Sequence, residues 1–413
     1  MSGGRALRVV VLCPHFAPDT APTGAVMTRI VEELAARGHE LHVVTALPWY
    51  RSHAVEEGWG GRPWRTERTA WGSVTRVHPM GGRSKSNLLR RALGFLAFSA
   101  LVGILALRAG GRPRRVDAVL SMSPPLTLGL TGWAAARLRG GRSTFNVQDV
   151  FPDAAVETGA ISNRAVIAVA RALERATYRR SDDVVLLSDD LRDNVAAKVP
   201  GRTAVLRVVP NFVDTAAIAP MDPDTPYRRE LGAGGAPVVM YAGNVGFSQS
   251  LGLVLAAAEA IPSACFVVNG DGSARAALER EAAHLTNVRF VGYQPVERLP
   301  EVLASADVHV VPLRAGLGRV SVPSKTYSIL AAGRPLVAAV DPGTEIPRMV
   351  EASGAGICVP PDDEARFIEA VARLLADPGD RARMGRAARR WVEAHASPAG
   401  VAERYEAILR GDG

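Results

Sequence analysis

Hydrophobic residues along this chain alternate between short continuous runs and helical spacing. The run from Leu7 to Cys13 predicts a buried strand, and Ala25 to Ala36 repeats apolar residues at the spacing of an amphipathic helix. Strands separated by helices form parallel sheets through right-handed crossovers, so the first half of the chain predicts a doubly wound α/β domain. Its further apolar runs predict strands over 41–47, 118–121, 143–147 and 183–187.

The same rhythm restarts after the segment from Pro210 to Asp214. We therefore expect an α/β fold of two Rossmann-like domains facing across a cleft, with residues 1–213 in the first domain and 214–396 in the second. The C-terminal segment 397–413 is expected to pack back on the first domain, since its apolar helix face would otherwise be exposed. The second domain's predicted strands cover 238–242, 265–269, 288–291, 308–311, 336–340 and 356–359.

Two regions break this rhythm, and the first is a polar, glycine-bearing stretch over residues 47–71. Indole side chains usually pack against something, so they either pin this stretch to its own domain or contact an acceptor or a membrane. Four of the six tryptophans in the chain lie here: Trp49, Trp59, Trp64 and Trp71.

The second region is a run of sixteen uncharged residues from Ala92 to Leu107, with arginines at both ends. A helix of this length covers about 24 Å, which is less than the roughly 30 Å of a hydrocarbon core, so it is too short to span a bilayer. A helix that is apolar on every side must be buried in protein or lie in the membrane interface. The sequence leaves both alternatives open, including peripheral membrane contact through residues 88–115.

Composition narrows the class of protein. With 413 residues, 47% hydrophobic and 22% charged, the chain is globular and too long for one ordinary core. Its three cysteines lie far apart at Cys13, Cys265 and Cys358, which argues against a disulfide framework or a zinc site and indicates a reducing, cytoplasmic compartment. The first apolar run has strand length and does not resemble an export signal. The net charge is +8, but the sequence has no compact run of basic residues with interleaved aromatics. This favours an anionic membrane surface over nucleic acid as a partner.

Three glycine-bearing loops follow predicted strands. Gly24 ends the segment that begins at Thr20, the stretch from Tyr241 to Gln249 contains Gly243 and Gly246, and Gly270-Asp271-Gly272 follows the next strand. Glycine lets the backbone approach a phosphate closely, but each loop alone is also compatible with a simple turn. Their recurrence at successive strand ends predicts a phosphate-bearing ligand.

A lysine at a predicted helix start sharpens this prediction. The stretch from Val322 to Pro335 runs from a polar turn into an apolar helix and ends at Gly and Pro, and Lys325 is one of only three lysines among 49 basic residues. The first backbone N–H groups of a helix are unpaired and attract anions, so this segment indicates phosphate binding. The alternative is a solvated lysine beside the N-cap Ser324.

The order of these motifs resembles that of GT-B glycosyltransferases of the family 4 type, nearly from end to end. Within that family the chain is most similar to bacterial enzymes that build exopolysaccharide and O-antigen repeat units, including the colanic-acid and N-acetylfucosamine transferase type. The motifs that carry the resemblance are the early Gly loop, Arg37 to Leu41, Phe145 to Asp153, Pro210 to Asp214, Gly243-Asn244, Gly270 to Gly272, Ser305 to Val308 and Pro323-Ser324-Lys325.

The resemblance implies a retaining transfer from a nucleotide-diphospho-sugar, taken to be UDP-linked, with no metal ion and no further cofactor. The second domain would bind the nucleotide and the first the acceptor. Asp149 and Lys325 are the implied catalytic residues. The implied donor-binding residues are Gly24, Gly243, Asn244, Gly246, Gln249, Gly270, Asp271, Gly272, Ser324, Lys325 and Ser328.

The chain departs from the family pattern at five positions. Val320 and Ser328 stand where many members carry a pair of glutamates, and Ser328 can hold ribose hydroxyls only as a neutral partner. Asn244 and Gln249 replace an arginine and a lysine. Lys325, with Arg314 or Arg319 nearby in sequence, is then the best remaining cation against a diphosphate. Gln148 replaces the motif histidine and cannot act as a general base, so Asp149 is the remaining candidate there.

The resemblance therefore predicts a glycosyltransferase of cell-surface polysaccharide biosynthesis that acts on a polyprenyl-linked saccharide or a small-molecule acceptor, in the cytoplasm or on the inner face of the membrane. Two alternatives remain open. A nucleotide-sugar 2-epimerase shares the fold but needs acidic and histidine groups in its cleft. A non-catalytic scaffold of a polysaccharide-assembly complex would explain the replaced polar residues. A nicotinamide dehydrogenase is a poor match, because no G-x-G-x-x-G follows the first strand.

Overall fold

The computed structural model describes residues 5–51, 54–79, 88–111, 115–159 and 161–412. These residues form two compact units. The first comprises the described parts of 1–156, 161–210 and 398–413, and the second comprises those of 157–160 and 211–397. Each unit has a largely parallel sheet with helices on it, which confirms the predicted fold class of two Rossmann-like domains.

The first unit contains an eight-stranded sheet in the order β3-β4-β2-β1-β5-β6-β7-β8. All neighbours pair in parallel except β3 and β4, and Val9 on the central strand lies opposite Leu41 on one side and Ala118 on the other. Its strands are β1 (Arg8–Leu12), β2 (Glu40–Ala46), β3 (Trp64–Thr69), β4 (Gly72–Val77), β5 (Ala118–Met122), β6 (Arg142–Val147), β7 (Asp183–Leu186) and β8 (Leu206–Val208). Its first six helices are α1 (Pro22–Ala36), α2 (Leu88–Ala106), α3 (Thr127–Arg139), α4 (Asp153–Glu157), α5 (Arg164–Arg180) and α6 (Asp189–Lys198).

The second unit contains a six-stranded parallel sheet in the order β11-β10-β9-β12-β13-β14. Its strands are β9 (Val238–Ala242), β10 (Cys265–Asn269), β11 (Val288–Val291), β12 (Val308–Pro312), β13 (Leu336–Ala339) and β14 (Gly356–Val359). The helices that follow in the chain are α7 (Pro226–Glu230), α8 (Gly252–Ala260), α9 (Arg275–Glu281), α10 (Leu299–Ala304), α11 (Lys325–Ala331), α12 (Glu345–Ser353), α13 (Glu364–Ala376), α14 (Pro378–His395) and α15 (Pro398–Arg410). The strands β9, β10, β12 and β13 are nearly continuous apolar runs because helices cover both faces of a parallel sheet.

Helix α15 belongs to the first unit, where it packs against α1. The Asn146 side-chain amide donates a hydrogen bond to the Tyr405 hydroxyl, and Arg37 at the end of α1 donates to Glu406 over 2.5 Å. Tyr405 is buried, so this helix covers apolar surface and also satisfies a polar group at the end of β6.

Part of the polar, glycine-bearing stretch over residues 47–71 is not a loop, because it forms strand β3 of a hairpin with β4. Polar residues at alternate positions, such as Thr66 opposite Thr75, form an edge ladder that hydrophobic periodicity does not reveal. Trp49 packs on the core of the first unit, and Trp59 lies against the guanidinium groups of Arg65 and Arg76, within 4.9 and 5.1 Å of its ring centre. These two indoles pack within their own unit.

Helix α2 is buried on one face and exposed on the other. Phe98, Val102 and Ala106 join the core of the first unit, whereas Leu96 and Ile104 are about half exposed, at 54% and 55%. The sequence leaves open a core helix or an interfacial helix. In the structure one face of α2 lies in the core and the other is exposed. Among the described helices none is both long enough and apolar enough to cross a bilayer.

Candidate functional site

Two of the predicted glycine loops, those after β9 and β10, lie at the carboxyl edge of the second sheet. The chain leaves β9 for β10 on one side and returns to β12 on the other, so the order of the sheet reverses next to β9. Such switch points in open α/β sheets leave a crevice where ligands bind. The loop after β9 begins at Gly243, and the loop after β10 begins at Gly270.

These two glycines lie side by side, because β9 and β10 are paired parallel strands and the two backbones stay close where the strands end. A Cβ built on Gly270 would lie 1.9 Å from the carbonyl oxygen of Gly243, and Gly270 has a φ of 151°. The Gly243 N–H donates to the carbonyl of Asn269 over 2.9 Å. No side chain larger than hydrogen fits at position 270, so the glycine pattern there has a structural cause in addition to any contact with a nucleotide.

The other predicted residues of these two loops form hydrogen bonds and packing contacts within and between the loops. The Gly246 N–H donates to Gln249 Oε1 over 3.1 Å, so this amide is satisfied inside its own turn. A Cβ on Gly272 would lie 2.3 Å from the Val245 carbonyl oxygen, and the Asp271 carboxylate accepts from the Gly272 N–H over 2.7 Å. The two loops therefore form one packed layer at the strand ends.

Lys325 joins this layer from helix α11. Its Nζ donates a hydrogen bond of 2.6 Å to the Tyr241 hydroxyl and lies 3.8 Å from the centre of the same ring, a cation–π contact. A Cβ on Gly243 would lie 2.8 Å from this Nζ, so the absence of a side chain at position 243 makes room for the amine. The structure thus brings Lys325 together with the loops after β9 and β10.

Burial changes the charge of this amine. The surroundings of Lys325 lower its pKa from 10.5 to about 7, because desolvation disfavours the ammonium form and no carboxylate of the described residues compensates. The pKa of the Tyr241 hydroxyl is raised by burial, so it stays protonated and donates in turn to the Asn244 carbonyl over 2.5 Å. The Lys325 amine is therefore only partly protonated near pH 7, and its ammonium form has no anionic partner among the described residues.

Three further residues lie on or beside α11. Ser324 caps the helix without a side-chain hydrogen bond to it, and Ser328 is half-buried one turn after Lys325. Val320 is buried, with 3% of its surface exposed. An apolar side chain at position 320 packs into the fold and offers no carboxylate, in keeping with the departure seen in the sequence.

The remaining predicted site residues belong to the first unit and are distant in sequence from these loops. Asp149 is exposed just after β6, and the neighbouring Gln148 is buried and donates to Asn146 over 2.7 Å. The expected loop ending at Gly24 needs correction, because α1 begins at Pro22 and Gly24 lies in its first turn. Proline at the start of a helix is compatible with the first turn, where its missing N–H has no partner anyway.

Sequence reasoning assigned no function to Tyr241 or to the pair His15 and Asp19. Tyr241 is the aromatic partner of Lys325 and was visible only as the residue before a glycine loop. His15 Nδ1 and Asp19 Oδ2 lie 2.6 Å apart after β1. Their spacing of four residues could have indicated a contact, but the pairing depends on the loop conformation. Among the described residues no group of three or more His, Cys, Asp or Glu side chains could hold a metal ion.

In comparisons with known proteins, both units match family models of glycosyl transferases. Residues 23–211 match the family model of the glycosyl transferase 4-like domain, and residues 236–377 match that of glycosyl transferases group 1. The chain is 27% identical over 386 residues to the Escherichia coli K12 protein named for colanic acid biosynthesis, the glycosyl transferase WcaI, covering 90% of this chain and 93% of that one.

Solved structures share the fold at low identity. Sucrose-phosphate synthase of Thermosynechococcus elongatus superposes with a TM-score of 0.78 at 18% identity, covering 98% of both chains. Anabaena HepE in complex with UDP-glucose superposes with a TM-score of 0.72 at 15% identity, covering 98% of this chain and 100% of that one. The resemblance inferred from the sequence motifs is confirmed at the level of family and fold.

Proposed function

Because the chain is a GT-B glycosyltransferase of the family 4 type, we propose that it moves a sugar from a nucleotide-diphospho-sugar to a saccharide acceptor in cell-surface polysaccharide biosynthesis. The relative named for colanic acid biosynthesis supports the pathway class, and the HepE complex with UDP-glucose supports a UDP-linked donor. We propose further that the transfer retains the anomeric configuration and needs no metal ion.

The observation that carries this proposal is the amine of Lys325, which has no carboxylate partner in the part of the chain that the structure describes. It lies beside Gly243 at the carboxyl edge of the second sheet, in contact with the Tyr241 ring. A diphosphate placed there would supply the missing anion, and the ammonium would stabilise the negative charge that develops on the departing diphosphate. In this role Lys325 substitutes for a divalent cation.

The proposal is tested with a panel of nucleotide sugars. Titration calorimetry measures binding, and mass detection measures transfer to polyprenyl-linked saccharides in detergent. We expect one donor to bind and its sugar to appear on the lipid-linked acceptor. An epimerised UDP-N-acetylglucosamine formed without acceptor would support the isomerase instead, and the absence of binding by any nucleotide sugar would support the scaffold.

The charge state of Lys325 predicts how donor affinity depends on pH. With a pKa of about 7 in the free protein, the amine is protonated below that pH and neutral above it. If the diphosphate binds the ammonium form, affinity falls as the pH rises above 7, by up to about tenfold for each pH unit, and binding takes up one proton. Calorimetry with UDP-glucose at pH 6 to 8.5, in buffers of different ionisation enthalpy, measures both quantities.

The control for this experiment is Lys325→Arg. A guanidinium stays protonated throughout this pH range, so the variant should bind with little dependence on pH and without proton uptake. Equal pH dependence in both proteins, or none in the wild type, would contradict the assigned role of Lys325.

We also propose that α2 brings the enzyme to the membrane that holds a lipid-linked acceptor. Its exposed face carries Leu93, Leu96 and Ile104 at helical spacing, and exposed Arg108 and Arg115 follow the helix. Apolar side chains beside arginines suit the interface of an anionic bilayer. This arrangement favours peripheral attachment at the inner face of the cell membrane.

The double substitution Leu96→Gln and Ile104→Gln tests the attachment. Removing two half-exposed apolar side chains should lower binding to vesicles of phosphatidylcholine with 30% phosphatidylglycerol by about tenfold or more. Vesicle flotation measures it. Val296→Gln is the control, because Val296 is 69% exposed in the second unit. Unchanged flotation of the double variant would show that α2 does not contact lipid. Deleting the helix is unsuitable, since its other face is part of the core.

A further inference from the structure

A histidine and an aspartate form a tight pair in the loop between β1 and α1. His15 Nδ1 and Asp19 Oδ2 are separated by 2.6 Å, and the Asp19 side chain is fully buried. The other carboxylate oxygen accepts the backbone N–H of Tyr50 over 3.1 Å. Asp19 thus uses one oxygen to anchor the loop after β2 and the other to hold the imidazole.

The imidazole is fixed on its other sides as well. Its ring stacks on the indole of Trp49 with centroids 5.5 Å apart, and the ring of Tyr50 meets it edge-on at the same distance. A Cβ built on Gly24 would lie 2.9 Å from His15 Cβ, so the first turn of α1 packs directly behind it. The orientation of His15 is therefore set by three neighbouring elements.

Two more contacts hold the loop that carries His15. Buried Arg76, on β4, donates to the carbonyl oxygens of Phe16 and Ala17. The Ala17 N–H donates to Thr28 Oγ1 on α1 over 2.9 Å. A loop tied to a strand and to a helix keeps its side chains in one geometry, which a binding site requires.

This geometry determines which nitrogen is available. An ionised carboxylate only accepts hydrogen bonds, so Nδ1 carries the proton that points to Asp19. In the neutral ring Nε2 then has a free lone pair. Among the described residues Nε2 has no hydrogen-bond partner, and the His15 side chain is 12% exposed. In this tautomer Nε2 can therefore accept a hydrogen bond from a ligand.

The place of the pair in the fold suits a ligand. From β1 the chain continues to β2 on one side and later returns to β5 on the other, so the order of the first sheet reverses at β1. His15 follows this strand at its carboxyl end, the position where open α/β sheets bind ligands. Half-buried Trp49 and Tyr50 add aromatic surface of the kind on which sugar rings pack.

We infer that His15 and Asp19 form a hydroxyl-binding subsite for the acceptor saccharide, in which Nε2 accepts a hydrogen bond from a sugar hydroxyl and Trp49 with Tyr50 contacts the ring. This inference rests on the proposed function, since it names the part of the first unit that holds the acceptor. Asp19 is a positioning residue, because it acts by fixing the tautomer of His15.

The test uses His15→Asn and Asp19→Asn in the full chain. The asparagine amide at position 15 keeps a donor near Nδ1 for Asp19 and removes only the outer acceptor, so the loop should remain folded. His395→Asn is the matched control, because His395 also stacks on an indole, that of Trp391 at 4.8 Å, but lies on α14 in the second unit. Thermal unfolding checks each variant.

Three measurements decide the outcome. Transfer of the panel's donor sugar to a chloroform–methanol extract of lipid-linked saccharides should fall about a hundredfold in kcat/KM for His15→Asn, while the donor Kd changes less than twofold. Asp19→Asn should lower transfer in the same direction. In two-bond ¹H–¹⁵N spectra the neutral His15 ring should carry its proton on Nδ1, and the Nε2 resonance should shift on titration with octyl β-D-glucopyranoside. Asp19→Asn should show a mixed tautomer.

Three results would each overturn the subsite: transfer by His15→Asn within twofold of the wild type, a neutral His15 ring with its proton on Nε2, or an Nε2 resonance that does not shift when the glycoside is added. If no sugar is transferred to the extract, the two spectroscopic results by themselves test the subsite. Failure of the wild type to bind any nucleotide sugar is a different result, because it removes the proposed function while the tautomer of His15 is still measured.

Discussion

Replacing Lys325 by Met is expected to lower sugar transfer by about 10²- to 10³-fold while the protein becomes more stable. The loss follows from removing the positive charge proposed to face the diphosphate, since deleting one such stabilising group has an effect of this size in other enzymes. The gain in stability follows from replacing a buried amine without a carboxylate partner by an apolar side chain of similar length. We expect an increase of about 1–4 kcal/mol in the free energy of unfolding.

The stability effect has a defined dependence on pH. The unfolded chain holds the Lys325 proton up to a pH of about 10.5, whereas the folded protein releases it at about 7. Because the unfolded state binds more protons between these values, the contribution of Lys325 is unfavourable at pH 7 and below and becomes less so as the pH rises to 10.5. Lys325→Met should lack this slope in urea unfolding experiments.

The same substitution at Lys198 provides the control. Lys198 Nζ pairs with Asp153 over 2.6 Å and with the buried carboxylate of Glu174 over 2.7 Å. Lys198→Met leaves that carboxylate without its cation, so it should destabilise the protein and leave donor binding unchanged. Full transfer activity in Lys325→Met would show that the amine does not act on the donor.

Replacing Gly270 by Ala is expected to destabilise the second unit by about 3–5 kcal/mol. The added Cβ would meet the backbone carbonyl oxygen of Gly243 at 1.9 Å, and a φ of 151° is unfavourable for any L side chain. Backbone cannot rotate away as a side chain can, so the strand ends of β9 and β10 would have to separate. Urea unfolding and soluble yield measure the effect.

Gly292→Ala is the matched control, since Gly292 follows the adjacent strand β11 and a Cβ there has no neighbour within 4 Å. It should change stability by less than about 0.5 kcal/mol. Equal stability of the two variants would mean that the backbones at the ends of β9 and β10 are not in the close contact described.

Local patterns anticipated the regular parts of the fold and missed elements whose partners are distant. The runs that became β9 and β10 are continuous and apolar because both faces of a parallel strand are buried. Strand β3 pairs only at an edge, so its polar sequence carries no hydrophobic signal. The sequence predicts the start of α1 three residues late, because proline and glycine, here Pro22 and Gly24, are typical of loops.

The sequence predicts more of the candidate site residues in the second unit than in the first. Lys325 and the glycines near it stand out in the sequence because lysine is rare in this chain and glycines recur after strands. The contact of Lys325 with Tyr241 joins residues 84 positions apart, and nothing in the local pattern indicates it. His15 and Asp19 were overlooked for a related reason, since an isolated histidine after a strand has no distinctive spacing.

By itself, the sequence determined the alternation of buried strands and helices, the class of fold and family, and the glycine-bearing turns at the ends of β9 and β10. These properties depend on neighbours within a few residues, where periodicity and residue size are sufficient. Only the tertiary structure decided that Lys325 loses much of its basicity, that Gly270 lies against Gly243, and that His15 pairs with Asp19. Desolvation and the close approach of two strand ends depend on atoms from distant segments, and the loop conformation that pairs His15 with Asp19 is held by contacts to other elements, so all three appear only once the sheets have formed.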